Sequence, residues 1–161
     1  MSTTDSRQRW STPWWLIHWV RERTLKPIAL DACAELETRK ADLWFGPGSP
    51  FSEDGLVAEW PAEGTIWVNP PYQRIGPWVQ RAISHAGLHW QARVLLLVPP
   101  RTEQAWWHEL VQSPQARCCY LRPRVEFDAP EGVEASVPSF PVVLWEVTRR
   151  PFALPTTHEW R

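Results

Sequence analysis

The sequence predicts an α/β fold: an open, mostly parallel sheet with antiparallel strands at its C-terminal end. Three observations carry this. Apolar runs of strand length alternate with helix-like segments up to about residue 112. Beyond that point strand-like runs follow one another with no helix between them. The run Arg93-Val94-Leu95-Leu96-Leu97-Val98 is apolar without alternation, the mark of a strand covered on both faces. A chain of 161 residues, 43% hydrophobic and 22% charged, has the balance of one globular domain with a single core.

The elements follow in order. Ser11 or Thr12 can cap a first helix, and Pro13 suits its first position. Pro27 stops that helix, and Ile28-Ala29-Leu30 is a short buried strand with Asp31 at its tip. Residues 32–40 read as a turn into a short helix, and Asp42-Leu43-Trp44-Phe45 as a second strand closed by Gly46-Pro47-Gly48. Residues 46–64 are loop-like and acidic. Thr65-Ile66-Trp67-Val68 is a strand that runs straight into Asn69-Pro70-Pro71-Tyr72. A helix over 75–86 leads to the strand 93–98, which stops at Pro99-Pro100; a helix over 102–111 follows. Further strands are expected at 118–121, 125–127 and 142–147. Residues 1–9 and 149–161 read as polar tails around a domain over 10–148. In open sheets of this kind ligands sit at the C-terminal strand tips, which places Asp31, Phe45, Asn69 and Pro99 on one rim.

Composition limits the function. Net charge is -1, so no global field attracts a polyanion and any such contact needs a local patch. No apolar run approaches the roughly 20 residues that span a bilayer, and the polar start of the chain has no apolar secretory core. No membrane partner is therefore expected. Cys33, Cys118 and Cys119 are odd in number and lack metal spacing, which suits a reducing compartment. His85 and His89 are four apart but have no third ligand nearby, so no metal is expected. The 13 Trp fill core or stack on bases or a cofactor adenine.

The chemistry is concentrated at Asn69-Pro70-Pro71-Tyr72. Asn69 is the sole Asn of the chain, and Tyr72 one of its 2 Tyr. Pro70 and Pro71 stiffen the backbone and carry no N–H, so the local main chain offers acceptors only. Two acceptors, the Asn69 side-chain oxygen and a main-chain carbonyl, beside an aromatic face suit a planar NH2 group. They hold both amine hydrogens, draw the nitrogen lone pair out of conjugation and ready it to attack an electrophile. The alternative is a plain loop terminator, since Asn-Pro and Pro-Pro are common turn signals.

At this motif the chain resembles amino-group methyltransferases acting on adenine or glutamine. More of it is similar to the phage-type Dam family of DNA N-6-adenine methyltransferases. The matching pieces are Trp10-Ser11-Thr12-Pro13, Leu30-Asp31-Ala32-Cys33-Ala34, Asp54-Gly55-Leu56 with Trp60, and Trp67-Val68-Asn69-Pro70-Pro71-Tyr72. They continue with Ile75, Trp78-Val79, Pro100-Arg101-Thr102, Trp106-Trp107-His108, Leu121-Arg122-Pro123-Arg124-Val125-Glu126-Phe127 and Pro138-Ser139-Phe140-Pro141.

The resemblance implies a Rossmann-like class I methyltransferase fold, and methyl transfer from S-adenosyl-L-methionine to the exocyclic N6 amine of adenine in DNA. Carried over by position, Asn69, Pro70, Pro71 and Tyr72 form the catalytic corner. Asp31 and Ala32 lie in the cofactor pocket, Thr12 and Pro13 border the methionine end, and Asp54 reaches adenine or ribose. Tyr72 also contacts the substrate base. Arg74, Arg101, Arg122 and Arg124 contact phosphates, or are surface Arg paired with acids such as Glu103 and Glu126. The family setting implies a phage or prophage protein in the bacterial cytoplasm. A glutamine amide or RNA adenine as substrate, or a non-catalytic nucleic-acid-binding module, are the rival readings. Two departures stand out: Thr38 lies near the place where the family often has Asn, and Pro123 stands where it often has Gly.

Overall fold

A computed structural model describes residues 10–130, 141–152 and 158–160. The elements are α1 (Trp14–Thr24), β1 (Ile28–Asp31), β2 (Glu63–Val68), α2 (Ile75–Leu88), β3 (Gln91–Val98), α3 (Ala105–Gln112), β4 (Ala116–Leu121), β5 (Val143–Thr148) and β6 (His158–Trp160). They form a six-stranded sheet in the order β1-β2-β3-β5-β4-β6. The β1–β2, β2–β3 and β4–β6 pairs are parallel, and β5 runs antiparallel to both β3 and β4. This is the Rossmann-like α/β arrangement expected, with its antiparallel strand inserted late in the chain.

Alternate strand residues feed two cores. Ile66, Val68, Val94, Leu96, Val98, Val143, Trp145 and Val147 face α2 and α3, meeting Trp78, Val79, Ala82, Trp106, Trp107 and Leu110. Trp67, Leu95, Leu97 and Leu144 face the other way, onto Leu16, Ile17 and Val20 of α1. A strand buried on both sides has no polar face to spare, which explains the unbroken apolar run in β3. Trp107 meets Trp145 edge to face, with ring centroids 5.3 Å apart.

Several expected elements take another form. Pro13, not Ser11 or Thr12, occupies the N-cap of α1, and no side chain caps that helix. The helix ends before Pro27, at Leu25 in the left-handed conformation. Residues 32–40 are turns rather than a helix. Main-chain bonds from Ala32 to Trp67 (2.9 Å) and from Ala34 to Phe45 (2.9 Å) pin the start of the segment, and only a single turn forms after it, with the Thr38 and Arg39 N–H groups on the Glu35 carbonyl (3.1 and 3.0 Å). The strand expected at 42–45 shrinks to one parallel bridge between Asp31 and Trp44, because Gly46 turns the chain away. Residues 125–127 are irregular, though Val125 and Phe127 are buried; pairing there is confined to an antiparallel bridge between Ser11 and Asp128. The 149–161 segment, expected as a tail, carries β6 in parallel with β4. Residues 1–9 and Pro138 to Phe140 lie outside the described residues.

Candidate active site

Parallel β1, β2 and β3 end side by side, and their C-terminal tips open on a cavity of about 1260 Å³. A small-ligand site typically holds about 300–1,000 Å³, so this cavity has room for two ligands together. The tip of β1 contributes Asp31 and the segment after it Ala32, Cys33, Ala34 and Glu35; β2 delivers Asn69 through Tyr72, and Arg101 follows β3.

Each wall has a local cause. Asp31 is buried, and both its oxygens are used by its own loop: Cys33 N–H donates to Oδ1 (3.4 Å) and Lys40 N–H to Oδ2 (3.0 Å). The carboxyl thus ties the turns over 32–40 to the strand tip. Burial pushes its pKa up to about 7, against the opposing pull of those two N–H groups and of Lys40. A carboxyl raised in the folded state favours folding while protonated, so its contribution is intact below the unfolded value of 3.8 and lost as pH rises to about 7. The stability of the wild type relative to Asp31→Asn is therefore expected to fall by roughly 4 kcal/mol from pH 3.5 to pH 8. Urea unfolding of both proteins across that range tests this, and a flat difference would refute it.

Two glycines press the same turns into place. A Cβ on Gly46 (φ 147°) would collide with the Ala34 carbonyl oxygen, and one on Gly55 would collide with that of Ala32. The Gly55 carbonyl also accepts the Trp60 indole N–H at 2.8 Å. Both glycines line the cavity. In the sequence Gly46 reads only as the close of a strand; in the fold it allows close approach of two backbones.

At the opposite end the Asn69 corner is stiff. Pro70 is buried, and Arg74 N–H closes the turn onto the Pro71 carbonyl at 2.9 Å. Asn69 Oδ1 accepts the Tyr72 hydroxyl at 3.2 Å, and Asn69 Nδ2 donates to Thr12 Oγ1 at 3.4 Å. Tyr72 packs against both cores, and burial raises its phenol above the ordinary value, so it stays a neutral donor.

Of the residues singled out in the sequence, the cavity brings together Thr12, Asp31, Ala32, Asp54, Asn69, Pro70, Pro71, Tyr72, Arg74 and Arg101. Pro13 is buried at the start of α1 and does not line it. Arg122 and Arg124 are exposed and do not line it, and neither does Pro99. Asp54 spends its Oδ1 on the Leu56 N–H (2.8 Å), capping its own turn. Trp106 borders the cavity while its neighbour Trp107 fills core. Burial pushes the Cys33 thiol up to about 12, which leaves it no thiolate for nucleophilic work. Among the described residues no group of three or more His, Cys, Asp or Glu could hold a metal ion. No helix of the described chain is long and apolar enough to cross a membrane.

The charges are sorted. Asp31, Glu35 and Asp54 gather around Cys33 at the tip of β1, whereas Arg74 and Arg101 follow β2 and β3.

Comparisons with known proteins give the family. A family model described as DNA N-6-adenine-methyltransferase (Dam) matches residues 2–156. A DNA N-6-adenine-methyltransferase of Haemophilus phage HP1 (strain HP1c1) is 35% identical over 93 residues, covering 58% of this chain and 51% of that protein. One of Escherichia phage T1 is 28% identical over 113 residues, covering 70% of this chain and 44% of that protein. The chain thus spans about half the length of the curated relatives it matches. No solved structure matches it. With a family match over nearly its whole length and an Asn-Pro-Pro-Tyr corner at the tip of a parallel strand, the chain belongs to the DNA N-6-adenine-methyltransferase (Dam) family.

Proposed function

We propose that this protein transfers a methyl group from S-adenosyl-L-methionine to the N6 amine of adenine in DNA, with the six-stranded sheet as the frame of one catalytic domain. The observation that carries the reading is the Asn69–Tyr72 corner opening on a cavity large enough for a cofactor and a base. The sorted charges support it. The acidic β1 end suits a donor bearing a sulfonium and an ammonium, and the arginine end suits a phosphate backbone. Glu35 and Asp54 would face ribose hydroxyls, Phe45 and Trp78 an adenine ring, and Thr12 the methionine end.

When bound, S-adenosyl-L-methionine supplies a methyl carbon on positively charged sulfur. The protein then has to provide position and electrostatics rather than a covalent nucleophile. Asn69 Oδ1 has two lone pairs and gives one to the Tyr72 hydroxyl, so the other accepts an amine hydrogen. The Pro70 carbonyl accepts the second. Both bonds favour the pyramidal nitrogen of the transition state. The N6 lone pair forms the new N–C bond as the C–S bond breaks, and the surplus N6 proton leaves to water. In duplex DNA the base must first leave the stack, at a cost of roughly a few kcal/mol. Stacking on Tyr72 returns about 1–3 kcal/mol of that. Arg74 and Arg101 hold the flanking phosphates. The phage origin of the relatives supports a setting in the cytoplasm of a phage-infected or lysogenic bacterium.

The test is incubation with methyl-labelled S-adenosyl-L-methionine and duplex DNA, single-stranded DNA, RNA and protein in parallel, followed by identification of the labelled nucleoside or amino acid. Label in N6-methyldeoxyadenosine is the expected result. Label only in RNA or in a glutamine amide overturns the DNA substrate, and label nowhere overturns the activity. Tyr72→Ala is expected to raise KM for DNA about 10-fold or more through lost stacking, and Tyr72→Phe much less. Equal rises in KM from the two changes would remove the stacking role.

A further inference from the structure

We propose that the Thr12 hydroxyl is a positioning group for the Asn69 carboxamide, fixing which of its two ends faces the reacting amine; the inference rests on the amine-site reading above. The two ends of a carboxamide are nearly equal in size and opposite in chemistry. With oxygen forward, Asn69 accepts an amine hydrogen. With NH2 forward, two donors collide and the lone pair is not drawn out. Shape alone cannot choose between these states, so a hydrogen-bond partner on each side has to.

The structure supplies both partners. Tyr72, a phenol and hence the stronger donor, meets Oδ1 at 3.2 Å. Thr12, an alkyl hydroxyl and hence the stronger acceptor, meets Nδ2 at 3.4 Å. The second contact is long, as catalytic hydrogen bonds commonly are before substrate tightens them. Tyr72 belongs to the same rigid turn as Asn69, whereas Thr12 comes from 57 residues earlier in the chain. It is 3% exposed and borders the cavity.

Thr12 is also held still from outside the corner. Its neighbour Ser11 exchanges two main-chain bonds with Asp128 (3.0 and 2.9 Å), and Ser11 Oγ accepts the Lys40 ammonium at 2.7 Å. Lys40 is itself buried, sits 4.4 Å over the Trp14 ring and leaves its main-chain N–H on Asp31. The acceptor for Asn69 is therefore clamped through its neighbour by two distant segments, the stretch at Asp128 and the turns over 31–40, of which the second starts at the cofactor end of the cavity. A side chain that merely bordered the cofactor would not need to reach the amide.

The experiment compares Thr12→Val, which keeps the shape and removes the acceptor, with Thr12→Ser, which restores a hydroxyl. Each is also combined with Asn69→Ala. Single-turnover rates on adenine-containing duplex DNA and dissociation constants for S-adenosyl-L-methionine are measured on the full chain. Thr12→Val is expected to slow methyl transfer about 10–100-fold, with the donor's dissociation constant moving far less than the rate. Thr12→Ser recovers most of that loss. In the Asn69→Ala background Thr12→Val has no further effect, because it acts through the amide already removed. A Thr12→Val rate equal to wild type, a loss confined to donor affinity, or full additivity with Asn69→Ala would each overturn the inference while leaving the activity in place. A wild type that methylates no adenine removes the activity and the inference together.

Discussion

Asn69→Ala is expected to lower methyl transfer by about 10²–10³-fold, the scale of losing one preorganised polar partner of a reacting group. Donor binding should largely persist. The side chain of Asn69 bonds to Thr12 and Tyr72, not to the turns over 31–35 that form the opposite wall. Pro70 and Pro71 keep the corner's backbone in place whatever residue precedes them. Single-turnover rates and equilibrium binding of the donor, measured on the same preparation, separate the two effects. Wild-type rates in the variant would eliminate Asn69 as the amine acceptor. A matched loss of donor affinity would move it to the cofactor's side of the cavity.

Gly46→Ala is expected to damage the other wall, and to do so through folding. A non-glycine residue at φ 147° carries strain of order 1–3 kcal/mol. The added methyl also drives into the Ala34 carbonyl, an overpacking cost of about 1–3 kcal/mol more. The Ala34 N–H is bonded to Phe45, and Gly46 N–H to Ser52, so the turn cannot yield without releasing both. Urea unfolding and donor binding should therefore fall together. Gly48→Ala is the comparison: φ there is 78°, yet nothing lies within 4 Å of the position. Its cost should stop at about 1–2 kcal/mol for the left-handed backbone. Equal losses at 46 and 48 would show that backbone conformation, and not the approach to Ala34, decides the effect.

Much of the site was legible because its residues are contiguous and follow strands. A buried apolar run ending in Asn-Pro-Pro-Tyr states both the corner and its place on the rim. Asp31 was readable for the same reason. What stayed hidden depends on contacts between distant segments. Nothing near Thr12 in the chain announces Asn69 as its partner. Arg122 and Arg124 were chosen by position in a motif, yet both stand clear of the cavity. Gly46 looked like punctuation because a close approach to Ala34 leaves no local pattern. The strand expected at 42–45 had suitable residues but only β1 to pair with, and the chain turns away after one bridge. The insertion of β5 between β3 and β4 was equally invisible, since order within a sheet is set by packing rather than by local preference.

That insertion has a consequence for biosynthesis. While residues up to 121 emerge from the ribosome, β3 and β4 have no mutual hydrogen bonds, because the place between them belongs to β5. Ser11 likewise waits for Asp128 before the segment bearing Thr12 is fastened. A nascent chain folding from its N-terminus can build β1, β2 and β3 early but not lock them. The sheet therefore closes in one late event, after Thr148 is translated, when β5 enters between β3 and β4 and joins them.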